Sequence, residues 1–204
     1  MKTYLDCIPC FFKQALEASR KAGASKKTQK KILDELARIL PEISLTSSPP
    51  EIGKIIYSLV SEISGKKDPF LKEKKKSNTL ALGIYDRLVE RMGSVRDKLL
   101  FAVELAIAGN IIDYGVKNSL DVDAEIAKIL DEEKEVIENE SKKIFDYPSF
   151  KRTLKNSANI LYLGDNAGEA VFDRILIEQI KSMDESKKIV YVVKEKPVIN
   201  DALK

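Results

Sequence analysis

The segment NILYLGDNAGEAVFDRILIEQIKSMDESKKIVYVV, residues 159–193, decides the fold. Its two ends, Ile160-Leu161-Tyr162-Leu163 and Ile189-Val190-Tyr191-Val192-Val193, are short, continuously apolar and rich in β-branched or aromatic side chains. Runs of that kind suit strands buried on both faces of a parallel sheet. Between them Val171, Ile175, Leu176 and Ile180 recur at helical spacing. The stretch therefore predicts one βαβ unit with a parallel, right-handed crossover. A Rossmann-like layer is expected to begin near residue 157.

Upstream of this unit the helical period dominates. Phe11, Ala15 and Leu16, then Ile32, Leu36 and Leu40, then Ile52, Ile55, Ile56, Leu59 and Ile63, then Leu82, Tyr85, Leu88 and Val89 each fall at three- and four-residue steps. The punctuation agrees: Ser25 is the expected N-cap of one helix, Pro41 its stop, and Ser47-Ser48-Pro49-Pro50-Glu51 the start of the next. Gly65 to Pro69 reads as a turn, Gly93-Ser94 divides a helix over 78–92 from one starting near Val95, and 121–145 supplies further amphipathic helix.

Downstream, two parallel strands fall short of the roughly five or six that such sheets carry. The chain is therefore expected to stop mid-fold, with Asp201-Ala202-Leu203-Lys204 opening a helix. The fold class is α/β with two domains, a helical domain over 1–156 and the start of a Rossmann-like three-layer α/β/α domain over 157–204.

Composition narrows the function classes. Thirty-five basic and 32 acidic residues are interspersed and leave a net charge of +3, which gives no field for nucleic acid or a membrane surface. Lys72 to Lys76 is the densest basic cluster and reads as a solvated helix face. No apolar run approaches the ~20 residues of a membrane span, and residues 1–10 do not form a signal peptide. Cys7 and Cys10, spaced as CxxC, are too few for a secreted disulfide framework, so a cytoplasmic protein is expected. Without histidine or a third cysteine the pair lacks partners for structural zinc, and a packing role is expected for it.

The chemistry is expected at the strand ends, since ligands of open α/β sheets sit outside the carboxyl ends of the strands. Gly164-Asp165-Asn166-Ala167-Gly168 lies there and runs into a helix start, where small residues let an anion approach the first amides. The GxGxxG glycines are missing, and oxygen donors from Asp165 and Asn166 suit Mg²⁺ or Mn²⁺ instead. Asp201, beyond the Pro197 break after the second strand, offers a second carboxylate. Ordinary Asx-turn and capping roles for these residues remain open on spacing alone.

LGDNAGEAVFDRILIEQI (163–180) followed by YVVKEKPVINDA (191–202) resembles the metal-dependent damage-control phosphatases, a family first catalogued as a domain of unknown function. CIPCFFKQAL from Cys7, DPFLKEKKKSN from Asp68 and AIAGNIIDYG from Ala106 resemble its short CxxC-containing subgroup. The resemblance implies a divalent ion (Mg, Mn, Co or Ni) held by Asp165, Asn166 and Asp201, which are also the implied catalytic residues. It implies hydrolysis of phosphate esters of small, damaged or side-product phosphometabolites such as sugar phosphates. Asn110 and Asp113 are the implied substrate-binding residues of the helical domain, with Lys194 near the phosphate. The family's later glycine-rich, lysine-containing loop does not occur in these 204 residues. Two alternatives stand beside this one: an S-adenosylmethionine-dependent carboxyl methyltransferase, and a non-enzymatic helical interaction module with a vestigial nucleotide-type fold.

Overall fold

The computed structural model describes residues 2–115 and 146–204, with the backbone alone over 110–115. The helices predicted within 121–145 lie outside the described residues. Seven α-helices and two strands are described: α1 (Cys7–Lys21), α2 (Lys26–Ile39), α3 (Pro49–Ser64), α4 (Leu71–Met92), α5 (Lys98–Gly115), α6 (Tyr147–Asn156), β1 (Asn159–Leu163), α7 (Glu169–Met183) and β2 (Lys188–Val192). Among the described residues no helix is long and apolar enough to cross a membrane. The chain divides into two compact units, Met1–Glu73 with Lys194–Leu203, and Lys74–Val193 with Lys204.

The first unit is built on α1, α2 and α3. Ser25 caps α2 by accepting the Thr28 amide, and a single 3-10 turn at Leu40–Glu42 follows where Pro41 interrupts the helix. Ser48 and Glu51 form a capping box at α3, Pro49 occupies its first position, and Gly65 ends it in the left-handed region at φ 71°. Phe11, Ala15, Ile32, Leu36, Ile52, Ile56 and Val60 close the core, with Phe70 edge-on to Tyr57 at 6.0 Å between ring centroids. Each large aliphatic or aromatic side chain buried in this way contributes about 1.5–3 kcal/mol.

In the second unit β1 and β2 pair in parallel, with Tyr162 opposite Tyr191 in register. The βαβ unit read from the sequence is thus present, and the α/β assignment holds. Period-2 burial puts Ile160, Tyr162, Ile189 and Tyr191 towards the core, while Leu161 and Leu163 on the other face are 67% and 70% exposed. Burial on both faces, expected from the apolar runs, is therefore not met, because among the described residues only one face of the sheet is packed into a core. Helix α5 lies along α7, with Ala102, Leu105 and Ala106 buried in one core with Phe172, Ile175 and Leu176.

Two local expectations change, and one glycine takes a packing role. Helix α5 runs unbroken through Gly109 to Gly115; a Cβ at Gly109 would lie 3.1 Å from Phe172, so the glycine allows close helix packing. Helix α4 starts at Leu71, and within its basic stretch Lys74 is buried, not solvated. Asp201-Ala202-Leu203 does not open a helix, because the Lys194 amide donates to the Ala202 carbonyl and Leu203 bridges Lys194 in parallel.

Candidate functional site

The turn after β1 is shaped by exclusion. The Gly164 amide donates to the Val192 carbonyl at 2.9 Å, continuing the strand pairing by one residue. A Cβ on Gly164 would lie 2.3 Å from the Tyr191 hydroxyl and 2.4 Å from Cζ, so the phenol occupies the space a side chain would need. Four residues on, a Cβ on Gly168 would lie 3.0 Å from Ser77 Cβ and 3.2 Å from its carbonyl oxygen. With both flanks held this closely, Asp165 projects into solvent while Ala167 is buried.

Asn166 is tied to the helix that follows. Its backbone N–H and its side-chain amide both donate to Glu169 Oε2, at 3.4 and 3.1 Å, and the side-chain amide also reaches Asp165 Oδ2 at 3.5 Å. Its carbonyl accepts from Ala170 at 3.2 Å. Glu169, the first residue of α7, thus reaches back to the residue three before it and closes the turn. A phosphate or carboxylate ligand approaching here meets the amides of a 15-residue helix.

Below the turn lies a buried carboxylate. Asp173 is 2% exposed and accepts the hydroxyls of both Tyr162 and Tyr191, the latter at 2.7 Å. The two rings stack at 5.4 Å between centroids. Burial pushes the Asp173 carboxyl up against the two hydroxyl hydrogen bonds, and the Asp165 carboxylate pushes it further. Glu169 is likewise raised, first by burial and then by the Asp173 and Asp165 carboxylates, against the Asn166 hydrogen bonds. Burial, followed by the shared bond to Asp173, pushes both tyrosines up as well.

The second loop belongs to the first unit. Lys194 Nζ lies 3.6 Å from Asp201 Oδ2, and the Asp201 amide donates to Val198 at 2.9 Å. Asp201 is 8% exposed. Ile199 sits at φ 40°, a left-handed conformation that a β-branched residue rarely adopts. The Val198 side chain packs against the core of α1, α2 and α3, which anchors the loop beside its strained residue.

Of the residues singled out in the sequence, Asp165 and Asn166 are brought together on one turn, and Lys194 and Asp201 on the other. Asn110 and Asp113 fall in the last turns of α5, and their side chains lie outside the described residues. Glu169, Asp173, Tyr162 and Tyr191 were not singled out. Glu169 is legible as the acidic residue three beyond Asn166, and Asp173 as a carboxylate three and seven residues before the apolar Leu176 and Ile180. Cys10 is exposed rather than packed, Cys7 is half-buried, and both thiols are free.

Among the described residues no three cysteine, aspartate or glutamate side chains converge as a metal cluster. The turn offers one exposed carboxylate and a neighbouring side-chain amide, hard oxygen donors of the kind Mg²⁺ and Mn²⁺ take. That donor set fits a divalent ion that keeps several waters.

Residues 3–204 match the family model described as the damage-control phosphatase ARMT1-like domain. An uncharacterized protein of Methanocaldococcus jannaschii is 33% identical over 202 residues, covering 97% of this chain and 64% of its own length. A damage-control phosphatase of Pyrococcus horikoshii is 32% identical over 207 residues, covering 99% of this chain and 67% of its own. One from Archaeoglobus fulgidus is 33% identical over 172 residues, or 83% of this chain and 57% of its own. The crystal structure of a DUF89 family protein from Pyrococcus horikoshii superposes with a TM-score of 0.83 at 28% identity, covering 99% of this chain and 67% of that one. The chain thus spans between 57% and 67% of the length of these curated relatives, and it belongs to the damage-control phosphatase ARMT1-like domain family.

Proposed function

We propose that this chain carries out divalent-metal-dependent hydrolysis of phosphate esters, acting on small damaged or side-product phosphometabolites such as sugar phosphates. The observation that carries the reading is the turn at Gly164–Glu169, with an exposed carboxylate and an amide fixed at a strand end and running into a helix start. Membership of a family whose relatives bear the name damage-control phosphatase supports the same reading.

In this proposal Asp165, Asn166 and Asp201 ligate a divalent ion, Mg²⁺, Mn²⁺, Co²⁺ or Ni²⁺, and Asn110, Asp113 and Lys194 bind substrate. When bound, the ion supplies Lewis-acid stabilisation of negative charge on the phosphoryl group. The chain's own residues do the positioning. Asn166, held by Glu169, keeps its carbonyl and amide in one orientation. Lys194, beside Asp201, offsets charge on the phosphate, and the first amides of α7 hydrogen-bond its oxygens. Water oxygen bonds to phosphorus, the bridging P–O bond breaks, and the departing alcohol takes up a proton. The domain assignment of helical residues 1–156 and α/β residues 157–204 is part of the same proposal.

The test is phosphate release from a panel of phosphometabolites by the native gene product, with Mg²⁺, Mn²⁺, Co²⁺ or Ni²⁺ and with EDTA. Metal-dependent turnover that is lost in Asp165→Asn is expected. Turnover unaffected by EDTA, or full metal-dependent activity in Asp165→Asn, overturns the assignment.

A further inference from the structure

Asp173 is an unusual residue for its place. It sits in the core-facing stripe of α7, beside Phe172 and one turn before Leu176, where an aliphatic side chain is cheaper to bury. Among the described residues no basic side chain pairs with it; its two oxygens are taken by two tyrosine hydroxyls from neighbouring strands. One of those tyrosines is the residue against which Gly164 has no room for a side chain. A carboxyl group buried at this cost needs a reason beyond stability.

We propose that Tyr191, locked by Asp173 and backed by Tyr162, is a positioning residue that fixes the backbone of Gly164 and so the direction in which Asp165 projects. The inference rests on the metal-dependent reading above and adds the groups behind the ligand. The chain of contact is continuous. The Asp173 carboxylate holds the Tyr191 hydroxyl at 2.7 Å, and stacking on Tyr162 holds the ring plane. The ring then occupies the space beside Gly164, whose amide is pinned to Val192 on β2. Asp165 leaves the strand with the residue before it held on two sides.

The experiment compares wild type, Tyr191→Phe, Tyr162→Phe and Asp165→Asn. Mn²⁺ binding is followed by electron paramagnetic resonance, amide exchange at 164–166 in metal-free protein, and thermal melting. Tyr191→Phe keeps the ring and removes only its bond to Asp173. It is expected to speed exchange at 164–166 and to weaken Mn²⁺ binding roughly 10-fold, the scale at which loss of a group orienting a metal ligand is felt. Tyr162→Phe, which removes the other hydroxyl from Asp173 and leaves Tyr191 nearest to Gly164, is expected to lower the melting temperature with a smaller effect on Mn²⁺. Wild-type exchange rates and Mn²⁺ affinity in Tyr191→Phe, with Asp165→Asn binding none, overturn this proposal alone. Equal losses of Mn²⁺ affinity in both tyrosine variants, tracking their melting temperatures, reduce the network to a structural one and also overturn it. A wild-type protein that binds no Mn²⁺ overturns the metal-dependent reading together with this one.

Discussion

Gly164→Ala is the substitution whose effect follows most directly from geometry. Gly164 is not among the glycines at positive φ, which are Gly23 and Gly65, so an alanine there meets no backbone penalty and the whole effect is steric. Its Cβ would lie 2.3, 2.4 and 2.7 Å from Tyr191 Oη, Cζ and Cε1, closer than real Cβ contacts come. The ring has little room to yield, being hydrogen-bonded to Asp173 and stacked on Tyr162. Forcing it aside costs about 1–3 kcal/mol of overpacking strain. Breaking its bond to a buried carboxylate adds a further 1.5–3 kcal/mol or so. A total loss of about 2.5–6 kcal/mol is a large share of the roughly 5–15 kcal/mol that holds a domain folded. Urea unfolding followed by circular dichroism measures it. Because the clash is with one named side chain, Gly164→Ala is expected to cost several-fold less in a Tyr191→Ala background, a strong positive coupling in a double-mutant cycle. A single-mutant loss below about 0.5 kcal/mol, the level of an ordinary surface change, refutes the reasoning. So does an undiminished loss in the Tyr191→Ala background.

Asp97 accepts the Leu100 amide at 3.1 Å, the Tyr147 hydroxyl at 2.8 Å and the Lys151 ammonium at 2.7 Å, and so ties the start of α5 to α6. Burial pushes its carboxyl up, but these hydrogen bonds outweigh burial and hold it below the ordinary value of 3.8. A depressed carboxyl stabilises the fold above its unfolded pKa and loses that contribution as pH falls through its folded one. Asp97→Ala should therefore destabilise by about 1–2 kcal/mol at pH 7 through loss of the cap and its partners, and the difference from wild type should shrink in denaturant titrations taken below pH 3.8. Lys187 is 4% exposed and its ammonium donates to the carbonyls of Ser157 at 2.7 Å and Lys155 at 3.3 Å, at the end of α6. Lys187→Met strands those acceptors, and a loss of about 1–3 kcal/mol is expected in the same unfolding assay. Ser48→Ala removes one half of the capping box on α3 and should cost about 1 kcal/mol, while Ser47→Ala should be nearly silent.

Much of this fold is readable from the sequence because its signals are local. The βαβ unit follows from two apolar runs flanking a 3.6-residue period, and the ends of α2 and α3 from Ser25, Ser48 and Pro49, whose capping chemistry needs no distant partner. What escaped the reading depends on partners far along the chain. Gly109 is a helix breaker by propensity, yet Phe172, brought up by a different helix, makes it a packing position. Asp201 to Leu203 shows capping and helix-start chemistry in sequence, but Lys194 claims its backbone for pairing. Asp165 and Asn166 were legible as a pair because the chemistry of their turn is local. Asp173, Tyr162 and Tyr191 were not, since a tyrosine in a strand and an aspartate in a helix are each unremarkable until the register aligns them.

The two loops that bear the candidate residues depart from local stability rules in different ways. At the turn after β1 the departure is electrostatic: Asp173 and Glu169 hold their protons above the ordinary carboxylate range because burial and Asp165 oppose their ionisation. In the loop after β2 it is conformational: Ile199 is held at φ 40°, a strain of order 1–3 kcal/mol, while Val198 on one side is packed and Asp201 on the other is buried and paired with Lys194. Neither departure stabilises the fold, and a sequence selected for stability alone would place an aliphatic residue at 173 and a glycine or asparagine at 199. Both lie within eight residues of a carboxylate proposed above as a ligand, Asp165 in one loop and Asp201 in the other. Relieving the strain alone, by Ile199→Gly, should then leave the protein folded and cost activity by loosening Asp201; unchanged turnover in that variant would reduce the φ at Ile199 to an accident of the loop.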